Sequence, residues 1–238
     1  MVAFLLGIGY VAWLSDGFER VTDADTGDGT PVAEAPTRTN KPTKTPRPTR
    51  TPKVSPTPTA VPRPWRVGIV AGHWKSDSGA VCPDGLQEVT INLDVAARVV
   101  ALLQNEGVNA ELLPEFAEEL NGYKADAFLS IHTDSCDAPG VSGFKVARVT
   151  GSAIPETEDR LVSCLIREYG DATGLAFHAN TITFDMKGYH AFNEINPKTP
   201  GAIIELGFMD ADRRLLTYSN DLVAQAVVRG IDCFLEGE

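Results

Sequence analysis

Proline is concentrated in one stretch of this chain, and that stretch limits where a folded domain can lie. Ten of the 16 prolines fall between residues 31 and 64, together with seven basic residues. The stretch has no periodic apolar face, so it cannot bury enough surface to offset the entropy of ordering. Frequent proline favours extended conformations, and the like charges repel one another. We therefore predict a disordered, Thr/Pro-rich basic linker over residues 15–64 and a single folded domain over residues 65–238.

The N-terminal segment, residues 1–14, is uncharged and apolar. It is shorter than the ~20 residues that span a bilayer as a helix, and it lacks the basic leader of a secretory signal. A hydrophobic start followed by such a linker is typical of an exported domain held away from a membrane. We interpret the segment as the remnant of an anchor or signal, and we expect an extracytoplasmic protein with membrane attachment through its N-terminus. The alternative is a cytosolic protein with a disordered N-terminus.

The distribution of charge excludes one class of partner. The chain has a formal net charge of −11, of which residues 1–30 carry −4 and the linker stretch 31–64 carries +6, so residues 65–238 carry −13. Nucleic-acid phosphates require basic side chains for neutralisation. We therefore expect no nucleic acid as a partner.

Short apolar runs alternate with amphipathic stretches from Trp65 onward. The continuous runs VGIVA and AIIEL are typical of strands covered on both faces. Amphipathic periodicity predicts helices over about 86–107, 156–170 and 220–235. The remaining apolar runs are NAELL, ADAFLSI, GFKVARV and YHAFNEI. This alternation predicts an α/β fold, with a mixed, mostly parallel sheet flanked by helices on both faces.

Four cysteines allow three pairings if all of them are bridged. Cys82 and Cys136 fall in loops after candidate strands, whereas Cys164 and Cys233 fall in helices that could pack on one face of the sheet. An even count outside the cell favours disulfides. We predict the bridges 82–136 and 164–233.

Two histidines stand directly beyond the ends of apolar strands. His73 follows VGIVAG, and His132 follows AFLSI. Ligands of open α/β sheets collect outside the carboxyl ends of the strands. One histidine at such a position is usually structural, but two at equivalent positions favour a shared site. His178 and His190 fit no such pattern, and we expect surface or packing roles for them, although His190 could also bind substrate.

Two carboxylates extend this candidate site. Glu88 opens the first long helix and falls, with Asn92, inside its buried arc rather than on its solvent face. A structural role for Glu88, favoured by the helix dipole, remains open. Glu205 interrupts the apolar strand GAIIELGF, where a buried carboxylate is costly unless it has a metal, a cation or a raised pKa. A structural salt bridge is the alternative for Glu205.

Two imidazoles and one carboxylate with an open fourth position form the ligand set of a catalytic zinc ion. A further glutamate nearby suits a general base for water activation. The same ligand set could hold iron(II). On residue types alone, both hydrolysis and oxygen chemistry remain open.

Four spaced motifs lie in three segments: two in AGHWKSDSGAVCPDGLQEVTINLDVA, one in SIHTD and one in PGAIIELGFMDADRRLL. In content and order these motifs resemble the zinc-dependent N-acetylmuramoyl-L-alanine amidases that hydrolyse bacterial cell walls. The resemblance covers most of residues 65–238. This sequence departs from the family at Trp74-Lys75, at Asp134 and in LLPEFAEELNGYKAD, which would lie around the rim of the cleft.

The resemblance implies a role for each of the four central residues. His73, Glu88 and His132 would bind one zinc ion per chain, and Glu205 would be the catalytic carboxylate. The implied reaction is hydrolysis of the amide between N-acetylmuramic acid and L-alanine, with peptidoglycan as the partner and the cell wall as the location. We expect a monomer. The alternatives are a non-catalytic wall-binding or regulatory module with the same fold, and a zinc peptidase that acts on the stem peptide.

Overall fold

The structure is a computed structural model that describes residues 64–237. The predicted N-terminal segment, and the predicted linker up to residue 63, lie outside the described residues. Five strands are present in the described part: β1 Arg66–Ala71, β2 Asn109–Leu113, β3 Ala127–Asp134, β4 Lys145–Ala147 and β5 Gly201–Phe208. The helices there are α1 Glu88–Asn105, α2 Pro155–Thr173, α3 Phe184–Lys187, α4 Ala191–Glu194, α5 Arg213–Tyr218 and α6 Asn220–Glu236.

The five strands form one sheet in the order β2-β1-β3-β5-β4. The first four in this order are parallel, and β4 pairs antiparallel with β5 at one edge. The mixed, mostly parallel sheet predicted from the sequence is therefore confirmed. Because β1, β3 and β5 are neighbours and run the same way, the residues at their carboxyl ends meet at one edge of the sheet.

Helices lie on both faces of the sheet, as predicted, but the two layers are unequal. The long helices α1, α2 and α6 contribute to the larger apolar cluster, on the face that carries Ile69, Ile131 and Ile204. The opposite face, which carries Phe128 and Ile203, is covered by residues of short helices and loops. That thinner layer includes Leu120 of a short 3₁₀ helix, Met186 of α3 and Ala191 of α4.

Helix α1 shows how local sequence places a polar group in the interior. Its apolar residues recur at helical spacing, and the residues Ile91, Val95, Val99 and Leu103 are buried against the sheet. Glu88 and Asn92 lie on the same buried arc, one turn apart, as the sequence predicts. The helix thus points a carboxylate and an amide toward the carboxyl edge of the sheet.

Two apolar runs differ from a simple strand interpretation. YHAFNEI contains the short helix α4 rather than a strand, because Ala191 and Ile195 are four residues apart and are both buried on the thinner face. GFKVARV pairs only over the three residues of β4. Gly143, the first residue of this run, has a φ of 137°.

Both predicted disulfides are present. The Cα atoms of Cys82 and Cys136 are 5.5 Å apart, and those of Cys164 and Cys233 are 5.8 Å apart, within the usual range. The first bridge joins the loop before α1 to the loop after β3, and the second joins α2 to α6. Among the described residues, no helix is both long and apolar enough to cross a membrane.

Candidate metal centre

His73 is held just beyond β1 by a left-handed backbone. Its φ is 66°, a conformation that non-glycine residues rarely adopt. The Nδ1–H group of its ring donates to Asp77 Oδ1 at 2.6 Å, so Nε2 is directed toward Glu88 Oε2 at 3.2 Å. Gly72 before it has to be small, because a Cβ atom there would lie 2.4 Å from the ring of His132.

Glu88 lies between the two histidines. Its Oε2 faces His73, and its Oε1 is 3.2 Å from Nδ1 of His132. The amide hydrogens of Ala80 and Thr133 and the side-chain amide of Asn92 also donate to this carboxylate. It is only 6% exposed. The carboxylate is therefore fixed in one orientation by several donors.

His132 lies near the carboxyl end of β3 and is 7% exposed. Its Nδ1 faces Glu88, whereas its Nε2 is enclosed and has no hydrogen-bond partner. Leaving a buried imidazole nitrogen without a hydrogen-bond partner costs free energy of folding, so such a ring usually has a functional role.

The ligand atoms of His73, Glu88 and His132 lie within 4.8 Å of one another. Two nitrogens and one carboxylate oxygen around a common point fit the donor set of a catalytic zinc ion. The three residues that the sequence analysis selected as ligands are thus brought together and could hold a metal.

The pKa values of the three residues are shifted in directions that suit a cation site. Burial alone would raise the pKa of Glu88, but hydrogen bonds from His132 and His73 outweigh it and hold that pKa far below its ordinary value. The hydrogen bond with Glu88 raises the pKa of His73 to about 9. For His132, burial lowers the pKa, and contact with Glu88 more than reverses this. Without a metal, His73 therefore holds at neutral pH a second ring proton that a bound cation would displace.

Glu205 lies beside this cluster on β5, where it pairs with His132 across the parallel strands. Its Oε2 is enclosed and has no hydrogen-bond partner. Burial raises the pKa of Glu205 to about 7; the charges of Glu88 and Asp134 raise it further, and those of His132 and Lys145 oppose them. A carboxyl group with a pKa near neutrality can both accept and release a proton.

Comparison with known proteins assigns the described domain to a family. Residues 67–233 match the family Amidase_3, described as N-acetylmuramoyl-L-alanine amidase. The chain belongs to this amidase family. The resemblance inferred from the sequence motifs is therefore confirmed.

Individual relatives cover different shares of this amidase domain. The N-acetylmuramoyl-L-alanine amidase AmiA of Salmonella typhimurium is 34% identical over 84 residues, which are 32% of this chain and 29% of AmiA. The chain thus spans less than a third of that relative. The catalytic domain of CwlV from Bacillus (Paenibacillus) polymyxa var. colistinus is 25% identical, covers 73% of this chain and 99% of its own, and has a TM-score of 0.57. AmiC2 of Nostoc punctiforme is 26% identical over 72% of this chain and 97% of its own, with a TM-score of 0.54.

Two charged residues of the amidase domain were missed by the sequence analysis. Lys145 on β4 is 5% exposed, pairs with Asp134 and lies opposite Glu205 in the antiparallel register. Glu115, just after β2, is 5% exposed and accepts the main-chain N–H of His73 at 2.7 Å. The sequence did contain a signal for each: Lys145 is a charged residue within the apolar run GFKVARV, and Glu115 is a carboxylate shortly after the strand NAELL.

The other two histidines have different environments. His190 contacts Glu115 and Glu194 at 2.9 Å through its two ring nitrogens, so it lies close to the ligand cluster rather than in simple packing. His178 lies edge-on against Phe208 and is not part of the three-residue cluster.

Proposed function

We propose that this chain is a zinc-dependent amidase that hydrolyses the bond between N-acetylmuramic acid and L-alanine in peptidoglycan. The observation that carries the proposal is the convergence of His73, Glu88 and His132 next to Glu205, within a domain of the amidase family. A wall-binding module would have no need for the two enclosed, unpartnered atoms at this site, His132 Nε2 and Glu205 Oε2.

Zinc fits the residues present because two imidazoles and one carboxylate leave a fourth position open. The chemistry that zinc supplies in such a set is Lewis acidity toward the scissile carbonyl and the attacking water. His73, Glu88 and His132 would hold it. Iron(II) accepts the same ligands, and metal analysis of the purified protein distinguishes the two.

Glu205 carries the proton in this proposal. Its unpartnered Oε2 is available to accept the proton of the attacking water, and its pKa of about 7 allows it to pass that proton to the departing nitrogen. The released stem peptide then begins with a free L-alanine amine. Lys145, opposite Glu205, is held by Asp134 and supplies a fixed positive charge at the edge of the site.

The location of the domain is part of the same proposal. Two disulfides favour an oxidising compartment outside the cytoplasm. Residues 1–14 would attach the chain to the membrane or direct its export, and residues 15–64 would let the domain reach wall polymer. That the protein is a monomer stays a prediction.

Digestion of purified peptidoglycan with and without a chelator tests the reaction. Mass spectrometry should show free stem peptides with an L-alanine N-terminus, and the chelator should abolish them. Cleavage inside the stem peptide would instead identify a peptidase. Intact muropeptides with metal-loaded protein would favour the binding module.

A further inference from the structure

A second buried carboxylate, Glu115, lies beside the two histidines of the candidate metal centre. Glu115 Oε2 accepts the main-chain N–H of His73 at 2.7 Å and lies 3.6 Å from Nε2 of His132. One oxygen of Glu115 therefore contacts both histidines of the cluster. A buried carboxylate is costly, so its position beside two metal ligands needs a reason.

His132 supplies that reason. Its Nδ1 faces Glu88, the carboxylate that lies between the two histidines. A neutral imidazole that offers the lone pair of Nδ1 to a metal has to carry its hydrogen on Nε2. That nitrogen is enclosed and has no hydrogen-bond partner, and its carboxylate neighbour on this side is Glu115. Glu115 would thus select the tautomer of His132 that binds metal.

His73 depends on the same oxygen in a different way. Its left-handed backbone, with a φ of 66°, is a strained conformation that the surroundings have to maintain. The hydrogen bond from its N–H to Glu115 Oε2 fixes that backbone. The ring then reaches Asp77 and Glu88 from opposite sides.

Glu115 is itself held in place by groups from the thinner face of the sheet. Its Oε1 accepts from the Tyr189 hydroxyl at 2.8 Å and from His190 Nε2 at 2.9 Å. Ser130 of β3 donates in turn to the Tyr189 hydroxyl at 3.0 Å. Both ring nitrogens of His190 face carboxylates; burial lowers the pKa of this ring, but the hydrogen bonds with Glu115 and Glu194 outweigh burial and raise it.

We propose that Glu115 is a positioning residue of the metal centre, which orients His132 and His73 through one carboxylate oxygen and is itself anchored by Tyr189 and His190. The inference rests on the proposed metal site. It assigns to Glu115, and to the Tyr189-His190 pair, a role in metal affinity that lies outside the three ligands and Glu205.

The test is the zinc affinity of Glu115→Gln. A glutamine keeps one carbonyl oxygen, but its amide nitrogen cannot replace the carboxylate oxygen that accepts from the His73 N–H and faces His132 Nε2. Loss of such a partner typically weakens metal binding about 10–100-fold, and we expect that loss in competition with a chromogenic chelator. Glu118→Gln is the matched control, because Glu118 lies three residues further along the chain, exposed at the start of the 3₁₀ helix that contains Leu120. It should bind zinc like the parent.

The melting temperature of the metal-free proteins distinguishes a positioning role of Glu115 from a purely structural one. The positioning role predicts that E115Q melts within a few degrees of the parent while its zinc dissociation constant rises. His190→Gln is a second variant, since it keeps Glu115 but removes one donor, and it should weaken zinc binding by a smaller factor.

Three results overturn the inference. The first is an E115Q zinc affinity within twofold of the parent, and the second is a loss of affinity that only accompanies unfolding of the metal-free variant. Parent protein that binds no zinc would overturn the metal site and this inference together. If E115Q loses zinc affinity and the parent fails to release stem peptides, the proposed reaction fails while the positioning role stands.

Discussion

His132 and Glu205 are direct neighbours in the parallel pairing of β3 and β5. Both side chains project from the sheet face that carries Phe128 and Ile203, since side chains alternate along each strand. The register therefore places a candidate metal ligand and a candidate proton carrier side by side. Because metal binding is assigned to His132 and proton transfer to Glu205, each function can be tested with its own variant.

Glu205→Gln should retain zinc and lose nearly all turnover. The amide keeps the shape of the side chain but cannot take a proton from water, and a positioned base typically contributes ~10²–10⁴-fold. Zinc content by atomic spectroscopy and release of stem peptides check the two halves. Glu156→Gln, at an exposed position of α2, is the control and should behave like the parent. Parental turnover in E205Q would show that another residue is the base.

His132→Ala should lose metal and activity together. It removes one of three ligands and leaves Glu88 without one of the two histidines that outweigh its burial. The expected result is a zinc content well below one per chain after dialysis. His178→Ala, at the histidine that contacts Phe208, should keep its zinc. Full zinc occupancy in H132A would remove His132 from the ligand set.

Lys145→Met should lower stability, because it leaves Asp134 without its ion-pair partner at the edge of the site. Breaking a buried ion pair costs about 3–5 kcal/mol. The side chain of Asp134 is 22% exposed, so water partly solvates it once Lys145 is gone. We therefore expect the free energy of unfolding in urea to fall by about 2–3 kcal/mol. The double variant D134N/K145M should recover part of that loss. Equal stability of K145M and the parent would show that the pair contributes nothing.

Removal of the bridge between Cys164 and Cys233 should destabilise the domain without weakening zinc binding. The bridge joins α2 to α6 and closes a separation of 69 residues, for which a loss of about 2–5 kcal/mol is typical. Urea unfolding of C164A/C233A, compared with its zinc affinity, checks both statements. A specific loss of zinc affinity would mean that the packing of these helices reaches the metal centre.

Asp232→Asn should stabilise the domain at neutral pH and not in acid. Burial raises the pKa of Asp232 to about 6, and the charges of Glu106 and Glu236 add to this. The ionised form is therefore unfavourable in the folded state above about pH 6, and the cost disappears as the pH falls below the ordinary value near 3.8.

The expected gain for D232N is a few degrees in melting temperature at pH 7.5, consistent with about 1 kcal/mol for a partly exposed charge. The gain should vanish near pH 3.5. Asp171→Asn, at an exposed position of α2, should show no such pH-dependent gain. A D232N gain that persists at pH 3.5 would show that charge is not its cause.

The sequence by itself determined the parts of this protein that depend on local pattern. Continuous apolar runs predict the buried strands, and helical spacing predicts the buried arc of α1, because both follow from the periodicity of the backbone. His73 and His132 stand out since they follow such strands, and Glu205 stands out since a carboxylate interrupts one. The motif resemblance then assigns their roles.

Only the tertiary structure decided how distant segments complete the site. Glu115 and His190 are 75 residues apart, and Lys145 meets Asp134 through an antiparallel edge strand of three residues. Local periodicity contains no information about such contacts, because they depend on the order of strands in the sheet and on where the loops return. For the same reason YHAFNEI, whose apolar content fits a strand, becomes a short helix on the thinner face. A polar group's partners are set by the fold that encloses it, so the network behind the metal centre emerges only when β1, β2, β3 and α4 are packed together.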